Sequence, residues 1–442
     1  MTKKVKGNQT IQSVAPKQEV TVQVPPPKKE EYPNTVEKGK KYTYNFWKNK
    51  PVAKFEQEPV VSEQIEADLK QRTVYGNDES IKLPDSMKWN DVNMADNDYL
   101  QKIVLFLQEN YIVDVKNKFR LDYTPDFLRW ALLGNSCNNN SGFLLTIVNK
   151  ESDSICGVIG ASIQNITVFD KTEKFGVVNF LCAHPMYRKK KIAFTLIDEA
   201  VRRIVRLGAN QGCFTTERCV PTPTTVMRYY HRPINYLKLR KHGFCEAGGN
   251  PEVVQKKFDV INELPNDCVI LTNEHVPECY KLYNSYMSRF NIHYKYTEEE
   301  FTNIALNNDF VKGYVVLNKE NKVVDFMTYY LLPYTVMGSS DKLNSAYLFL
   351  HSCNNISSND MVKKMFQILK VNNLDMLNIT DAMMMSDVLL SKELKNDENS
   401  DVEDCDKVYE HKFLKGSGKL HFNLFNWKCP NVKPRQLFWT SF

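Results

Sequence analysis

The stretch that most constrains this fold is "KFGVVNFLCAHPMYRKKKIAFTLIDEAVRRIVRLG", Lys174 to Gly208. Its first part is almost continuously apolar, as expected of a central strand covered on both faces. From "YRKKKIA" onward, Ala193, Leu196, Ile197, Ala200, Val201 and Ile204 recur at helical spacing. Arg202, Arg203 and Arg206 lie outside that set, and Gly208 is a natural stop. A buried strand thus ends in a short basic loop that opens a long helix. The first amides of a helix lack partners and sit at the positive end of its dipole, so an anion fits there. Arg188, Lys189, Lys190 and Lys191 add charge, which suits a coenzyme A pyrophosphate. The loop has no glycine, so it is neither a P-loop nor a dinucleotide fingerprint. A basic surface turn before an ordinary helix reads the same way, and these residues leave both readings open.

Elsewhere the chain alternates both periodicities. "DNDYLQKIVLFLQENYI" reads as a helix with Leu100, Ile103, Val104 and Leu107 on one face, and "YTPDFLRWALL" as a helix capped by Thr124 with Pro125 first. "GFLLTIVNK" with "SICGVIGASIQNITVF", and "DFVKGYVVLN" with "KVVDFMTYYLLP", read as strand pairs. "DMVKKMFQILKVNN" is a second-half helix and "KLHFNLFNW" a late strand. The expected organisation is two α+β halves of similar size, 42–225 and 226–442. Residues 1–41, rich in Lys and Glu with Pro25, Pro26 and Pro27, are expected to be disordered. Residues 393–410 are acidic and read as an exposed insertion loop.

The chain ends on Phe438, Trp439 and Phe442, three large aromatic residues beside a terminal carboxylate. Either this is an apolar tail docked on the surface, or the carboxylate is a working group. The net charge of +6 is too small to argue for nucleic acid. The 11 cysteines form no CxxC pair, which argues against structural zinc and a disulfide framework and for a reducing compartment. The start "MTKKVKGNQT" has no apolar signal core, and no stretch approaches a membrane span, so a cytoplasmic protein is expected. Thr2 excludes N-myristoylation of the chain itself.

Five segments together resemble the glycylpeptide N-tetradecanoyltransferase (N-myristoyltransferase) family: "YNFWKNKPV", "ENYIVDVKNKFRLDYTPDFLRWAL", "VVNFLCAHPMYRKKKIA", "RYYHRPIN" and "KFLKGSGKLHFNLFNWKCP". The resemblance spans about Tyr42 to Phe442. It implies two acetyltransferase-like (GNAT-type) halves in pseudo-twofold arrangement, the first binding myristoyl-CoA and the second building most of a peptide groove. The reaction moves the acyl group directly to the amine of an N-terminal glycine, with no prosthetic group or metal. Myristoyl-CoA is a co-substrate, and the partners are proteins or peptides starting with Gly. Members are usually monomers. The basic tail suits contact with ribosomes or acidic lipid, or is a solvated leader.

By position, the resemblance assigns Asn45, Phe46 and Trp47 to CoA, Leu181, Cys182 and Ala183 to the pantetheine and thioester, and Arg188, Lys189, Lys191, Ile192 and Ala193 to the phosphates. The main-chain amides of Phe180 and Leu181 form the oxyanion hole. The carboxylate of Phe442 is the general base, and Asn179 and Thr215 help hold the amine. Tyr111, Asp114, Tyr123, Tyr229, His231, Leu348 and Ser417 fall on the peptide side. Cys182 is expected to be inert packing, not a nucleophile.

The departures from the family cluster. Its acidic run is reduced to Asp114, with Lys116 added; an acid between two glycines is Ser417; a serine is Leu348; and a glycine near the C-terminus is Phe438. All four fall on the peptide side. On the acyl-CoA side, Lys191 replaces an Arg. An enzyme with altered peptide preference is one reading. An acyl-CoA- and peptide-binding relative with weak or lost transfer is the other. An acetyl-CoA enzyme would carry glycine near Lys191–Ala193, and a non-enzymatic scaffold would work through the lysine-rich tail.

Overall fold

The computed structural model describes residues 32–442, except 57–58, 113, 115–116, 135–140, 221, 246–248, 307–308 and 390–409. One large sheet organises them. Its strands are β1 Met87–Asp91, β2 Gly142–Asn149, β3 Ile155–Val168, β4 Lys171–Ala183, β5 Gln211–Thr216, β6 Thr225–Pro233, β7 Cys268–Ile270, β8 Ile292–Tyr294, β9 Val311–Leu317, β10 Val323–Leu331, β11 Ser345–His351, β12 Met376–Thr380 and β13 Leu414–Phe425. Their spatial order is β1-β2-β3-β4-β5-β13-β6-β12-β11-β10-β9-β7, with β8 added to β3.

That order has the same pattern from either edge. From one edge β1 to β4 pair antiparallel and β4–β5 pair parallel. From the other, β7, β9, β10 and β11 pair antiparallel and β11–β12 pair parallel. A parallel pair needs a crossover, and one helix supplies it in each half. With α1 as Asn97–Asn110, α2 Pro125–Leu133, α3 Ile192–Arg206, α4 Val276–Met287 and α5 Ser358–Val371, the crossovers are α3 and α5. The two central strands are exchanged. β6 pairs with β12 of the second half, and the last strand, β13, pairs with β5 of the first. A boundary at residue 225 is therefore one of chain order; β6 belongs spatially to the second half.

Each half also carries a bulge beside its parallel pair. Gly160 lies opposite Asn179 and Val158 opposite Cys182, so Phe180 and Leu181 together face Ile159. In the second half Tyr329 lies opposite Leu348 and Met327 opposite His351, so Phe349 and Leu350 face Thr328. The parallel ladders stop just before the bulges, at Val178↔Phe214 and at Tyr347↔Asn378. Both parallel pairs therefore splay open where the bulge begins.

The junction that dominates the sequence folds as a strand and a helix, with one correction. The α-helix starts at Ile192, not within "YRKKK": Pro185–Lys190 form a 3-10 turn, and Lys191, at φ 59°, breaks it from the helix. The helix lies close to the sheet because two glycines face it. A Cβ on Gly176 would stand 2.4 Å from Ile204 Cδ1, and one on Gly157 2.8 Å from Leu196 Cδ1. Arg202, outside the apolar set, is nonetheless buried: it bonds the buried Glu199 at 2.6 Å and the carbonyls of Asn77 and Asp78.

The expected disorder of residues 1–41 does not extend to its end. Val36–Lys40 form a short helix capped by Thr35, and the Cys219 amide donates to Pro33 at 2.8 Å. Residues 1–31 and nearly all of the acidic stretch 393–410 lie outside the described residues.

Candidate active site

The first splay holds most of the acyl-side residues. Phe180 has φ 58° and no exposed surface, an uncommon conformation for a bulky residue that packing must enforce. The rings of Tyr123, at 5.6 Å and 90°, and Tyr111, at 6.3 Å, brace it. Bulges leave main-chain groups outside the ladder. Here Phe180 and Leu181 together face Ile159, so the ladder with β3 cannot pair both of them. Leu181, Cys182 and Ala183 continue along the open edge of β4. Burial pushes the Cys182 thiol up to about 12, which suits packing and not nucleophilic attack.

At the far end of this edge, no side chain caps the amides opening α3. That leaves Ile192 and Ala193 at an N-terminus able to take an anion, with Lys191 and Arg188 exposed beside it. Lys189 belongs to the preceding 3-10 turn. The Asn45–Trp47 turn docks at the same place. Phe46 stacks on Phe194 of α3 at 4.4 Å, and Trp47 on Phe214 of β5 at 5.7 Å. Residues far apart in sequence thus meet along one cleft.

The second splay is filled from within. The tail crosses between the ends of β11 and β12: the Met383 amide donates to Leu437 O at 2.8 Å, and the Phe438 amide to Ile292 O at 2.8 Å. Phe438 is fully buried against the rings of Phe290 and His351, each at 5.2 Å, and Tyr283 at 6.0 Å. The residue that replaces a glycine is therefore an anchor of the tail. The corresponding places of the second half are satisfied by side chains, and Ser357 Oγ caps α5 by accepting from the Asp360 amide at 3.0 Å. The Asp325 carboxylate accepts from the amides of Asn354, Asn355 and Ile356, at 2.7–2.8 Å, in the loop before α5. Thr328 Oγ1 accepts from the Leu350 amide of the bulge at 2.9 Å. Of the two related clefts, the first alone keeps its helix N-terminus uncapped by a side chain.

From its anchor the tail reaches the first splay. Trp439 stacks on Tyr294 at 4.8 Å, Tyr330 donates to Ser441 O at 2.8 Å, and Ser441 Oγ lies 3.1 Å from Thr215 Oγ1. The Phe442 ring enters a cage of Trp130 (5.0 Å), Tyr330 (5.3 Å), Phe127 (6.0 Å) and Phe349 (6.2 Å). Asn179, half-buried, is the β4 residue directly after the last rung to β5. Thr215 is the β5 residue directly after that rung.

Buried and half-buried tyrosines line the other approach. Tyr111, Tyr123 and Tyr229 are joined by Tyr330, Tyr334 and Tyr347; the hydroxyls of the last two lie 2.7 Å apart. Burial raises the pKa of all six hydroxyls, so they remain protonated donors. The buried Tyr123 hydroxyl has no hydrogen-bond partner, which marks a place for a polar group from outside. His231 Nδ1 lies 2.6 Å from Asn378 Oδ1, and burial lowers its pKa, so the ring is neutral with Nδ1 donating. Tyr330, Tyr347 and the cage residues escaped the sequence reading; their signal was the aromatic content of "DFMTYYLLP", "SAYLFLH" and "FLRWALL".

Three peptide-side expectations take a different form. Asp114 is occupied by its own turn: Oδ1 accepts from the amides of Lys118 and Phe119, both at 2.7 Å, and lies 3.6 Å from Arg120. Ser417 is exposed on a three-residue bulge, 416–418, held by Arg228, which donates to Gly416 O at 2.6 Å and Ser417 O at 3.1 Å. A Cβ at Gly416 would meet Tyr229 O at 2.7 Å, so this turn needs glycine. Leu348 is buried and faces a small space shared with Tyr229 and Ser441, beside the tail. Lys116 lies outside the described residues.

Among the described residues no cluster of His, Cys, Asp or Glu could hold a metal ion, and no helix is long and apolar enough to cross a membrane. The cysteines described are free and buried.

Two family models match the chain: the N-terminal domain of myristoyl-CoA:protein N-myristoyltransferase over residues 65–227, and its C-terminal domain over 252–437. The glycylpeptide N-tetradecanoyltransferase of Candida albicans is 30% identical over 413 residues, covering 87% of this chain and 85% of that one. A probable glycylpeptide N-tetradecanoyltransferase of Caenorhabditis elegans is 28% identical over 420 residues, covering 92% and 87%. The crystal structure of Saccharomyces cerevisiae N-myristoyltransferase with bound myristoyl-CoA superposes with a TM-score of 0.78 at 21% identity, over 90% of this chain and 99% of that one. The fold, the paired splayed halves and these matches agree: the chain belongs to the glycylpeptide N-tetradecanoyltransferase family of acyltransferases.

Proposed function

We propose that this chain transfers a myristoyl group from myristoyl-CoA to the amine of an N-terminal glycine, by direct attack within the first splay. The observation that carries the reading is the Thr215–Ser441 bond, which sets the last two residues beside the open end of β4 and β5. In this account the pyrophosphate lies at the start of α3, near Arg188, Lys189, Lys191, Ile192 and Ala193. Asn45, Phe46 and Trp47 cover the CoA, and the thioester lies along Leu181–Ala183. Its carbonyl oxygen takes the place next to the Phe180 and Leu181 amides. Donors aimed at a developing oxyanion are commonly worth about 10²–10³ in rate each.

An α-amine with a pKa of about 7.7–8.0 is mostly protonated at neutral pH and cannot attack. The Phe442 carboxylate takes a proton from it, while Asn179 and Thr215 hold it. The amine nitrogen then bonds the acyl carbon and the carbon–sulfur bond breaks; its electron pair leaves on the CoA sulfur, which takes up the second proton that the nitrogen gives off as it becomes an amide. The peptide runs past Tyr111, Tyr123, Tyr229 and His231. Asp114 is engaged by its own turn and the position between the glycines is Ser417, so little on this side favours a basic residue.

A panel of Gly-starting peptides, basic or neutral at the seventh position, incubated with myristoyl-CoA, tests this. Transfer to basic and neutral peptides alike supports the reading. Strong preference for the basic peptides removes the specificity argument. Tight myristoyl-CoA binding with no transfer to any peptide would favour an acyl-CoA-binding relative instead. Equal affinity for myristoyl-CoA and acetyl-CoA would dispose of the acyl-chain site.

A further inference from the structure

On the side of the second half away from the tyrosine-lined approach lies a cavity of about 820 Å³ that the transfer reaction does not use. Arg232 lines it. This residue is 4% exposed, and its guanidinium is sandwiched between the rings of Phe258 (4.9 Å) and Phe366 (4.7 Å). It donates to the carbonyls of Pro233 and, at 3.4 Å, Phe258. Its Nε has no hydrogen-bond partner, and no carboxylate pairs with it among the described residues. Buried guanidinium groups are ordinarily paired with an acid, and an unmet buried donor is costly. Burial alone lowers its pKa to about 10, with no opposing acid.

The charges around this arginine do not supply the missing anion. Lys257, Lys363, Lys364 and Lys412 line the cavity with it. Of the acids there, Asp267 is held by Lys364, both oxygens at 2.6 Å, and Asp360 by Ser357 at 2.7 Å and Lys363 at 3.7 Å. Asp259 accepts from Gln255 at 2.9 Å. Lys412 Nζ spends one donor on the Lys257 carbonyl. The apolar part of the lining is Phe366, Val260, Ile356 and an Ile261 that is 64% exposed.

We infer that this cavity binds an organic phosphate, its anionic group held between Lys257 and Lys412 by their charge and that of the unpaired Arg232, its apolar body resting on Phe366 and Ile261. Arg232 follows His231 in β6 and pairs with Leu377, the neighbour of the Asn378 that holds His231. The site therefore stands back to back with the tyrosine-lined one and is separate from the start of α3.

Calorimetric titration of the full chain with phenyl phosphate and with inorganic phosphate, in saturating CoA to occupy the α3 site, tests the inference. Phenyl phosphate should bind saturably and more tightly than inorganic phosphate. Lys257→Gln with Lys412→Gln, at exposed positions that leave folding unaffected, should weaken it about tenfold, the usual worth of a charge-assisted bond. Arg232→Met should abolish it; if that variant fails to fold, the lysine pair still decides. No saturable binding, unchanged affinity in the lysine variant, or equal affinity for both phosphates would overturn the inference.

Discussion

Thr215 and Ser441 stand 226 residues apart in the chain, yet their hydroxyl oxygens lie 3.1 Å apart where β4 and β5 separate. The exchange of β13 into the first half makes that possible. Once β13 pairs with β5, the tail that follows it is carried across the second splay and delivered to the first. Phe438 and Trp439 fix its path, and the Phe442 cage fixes its end.

Phe438 should therefore matter for where the tail ends as well as for stability. Phe438→Ala empties a fully buried site between α4 and β11, a change that costs about 3–5 kcal/mol in a core. Chemical denaturation should register that loss. The transfer rate should fall well beyond any change in myristoyl-CoA affinity. A variant of normal stability and rate would mean the tail is held by Trp439 and Phe442 alone.

Asp325 should be a structural residue of the second half despite its likeness in place to a ligand. Its carboxylate takes three main-chain amides and the Ser352 hydroxyl, all at 2.7–2.8 Å. Asp325→Ala leaves those donors unmet and should destabilise by at least about 3 kcal/mol, with Asp325→Asn recovering part of it. Thermal melting of the two variants checks this. Equal melting of Asp325→Ala and the parent would show that the loop finds other acceptors.

Much of this was legible in the chain, and the omissions share a cause. The strand, basic turn and helix from Lys174 to Gly208 declared themselves by periodicity. The bulge at Phe180–Leu181 did not, because it is set by register against Gly160 and Val158, not by local sequence. Arg202 looked solvent-facing by helical spacing; the loop at Asn77 and Asp78, distant in the chain, covers it. Phe438 looked like a defect in a tail that wants glycine, since the cavity receiving it is built by α4, β11 and the segment before β8. The site residues entered through family resemblance. Their convergence depends on strand exchange, which no short motif encodes.

Acid should weaken the fold through His351. Burial lowers its pKa from 6.5 to about 4, so the folded ring stays neutral where the unfolded one is charged. A depressed histidine stabilises the fold fully above pH 6.5, and that stability is lost as pH falls toward about 4, up to about 3 kcal/mol. His293, lowered to about 4 as well, acts in the same window and direction. Melting curves from neutral pH down to about 4 should fall more steeply for the parent than for His351→Gln. Parallel curves would exclude His351 from the acid response.

The central claim is that the end of the chain is chemical as well as structural, and moving the carboxylate tests it. A chain with two residues appended after Phe442, or with the terminus amidated, should keep myristoyl-CoA affinity within about twofold and lose transfer by at least about 10², the scale of a positioned general base. Full single-turnover transfer by the extended chain would contradict the account and remove Phe442 from the mechanism.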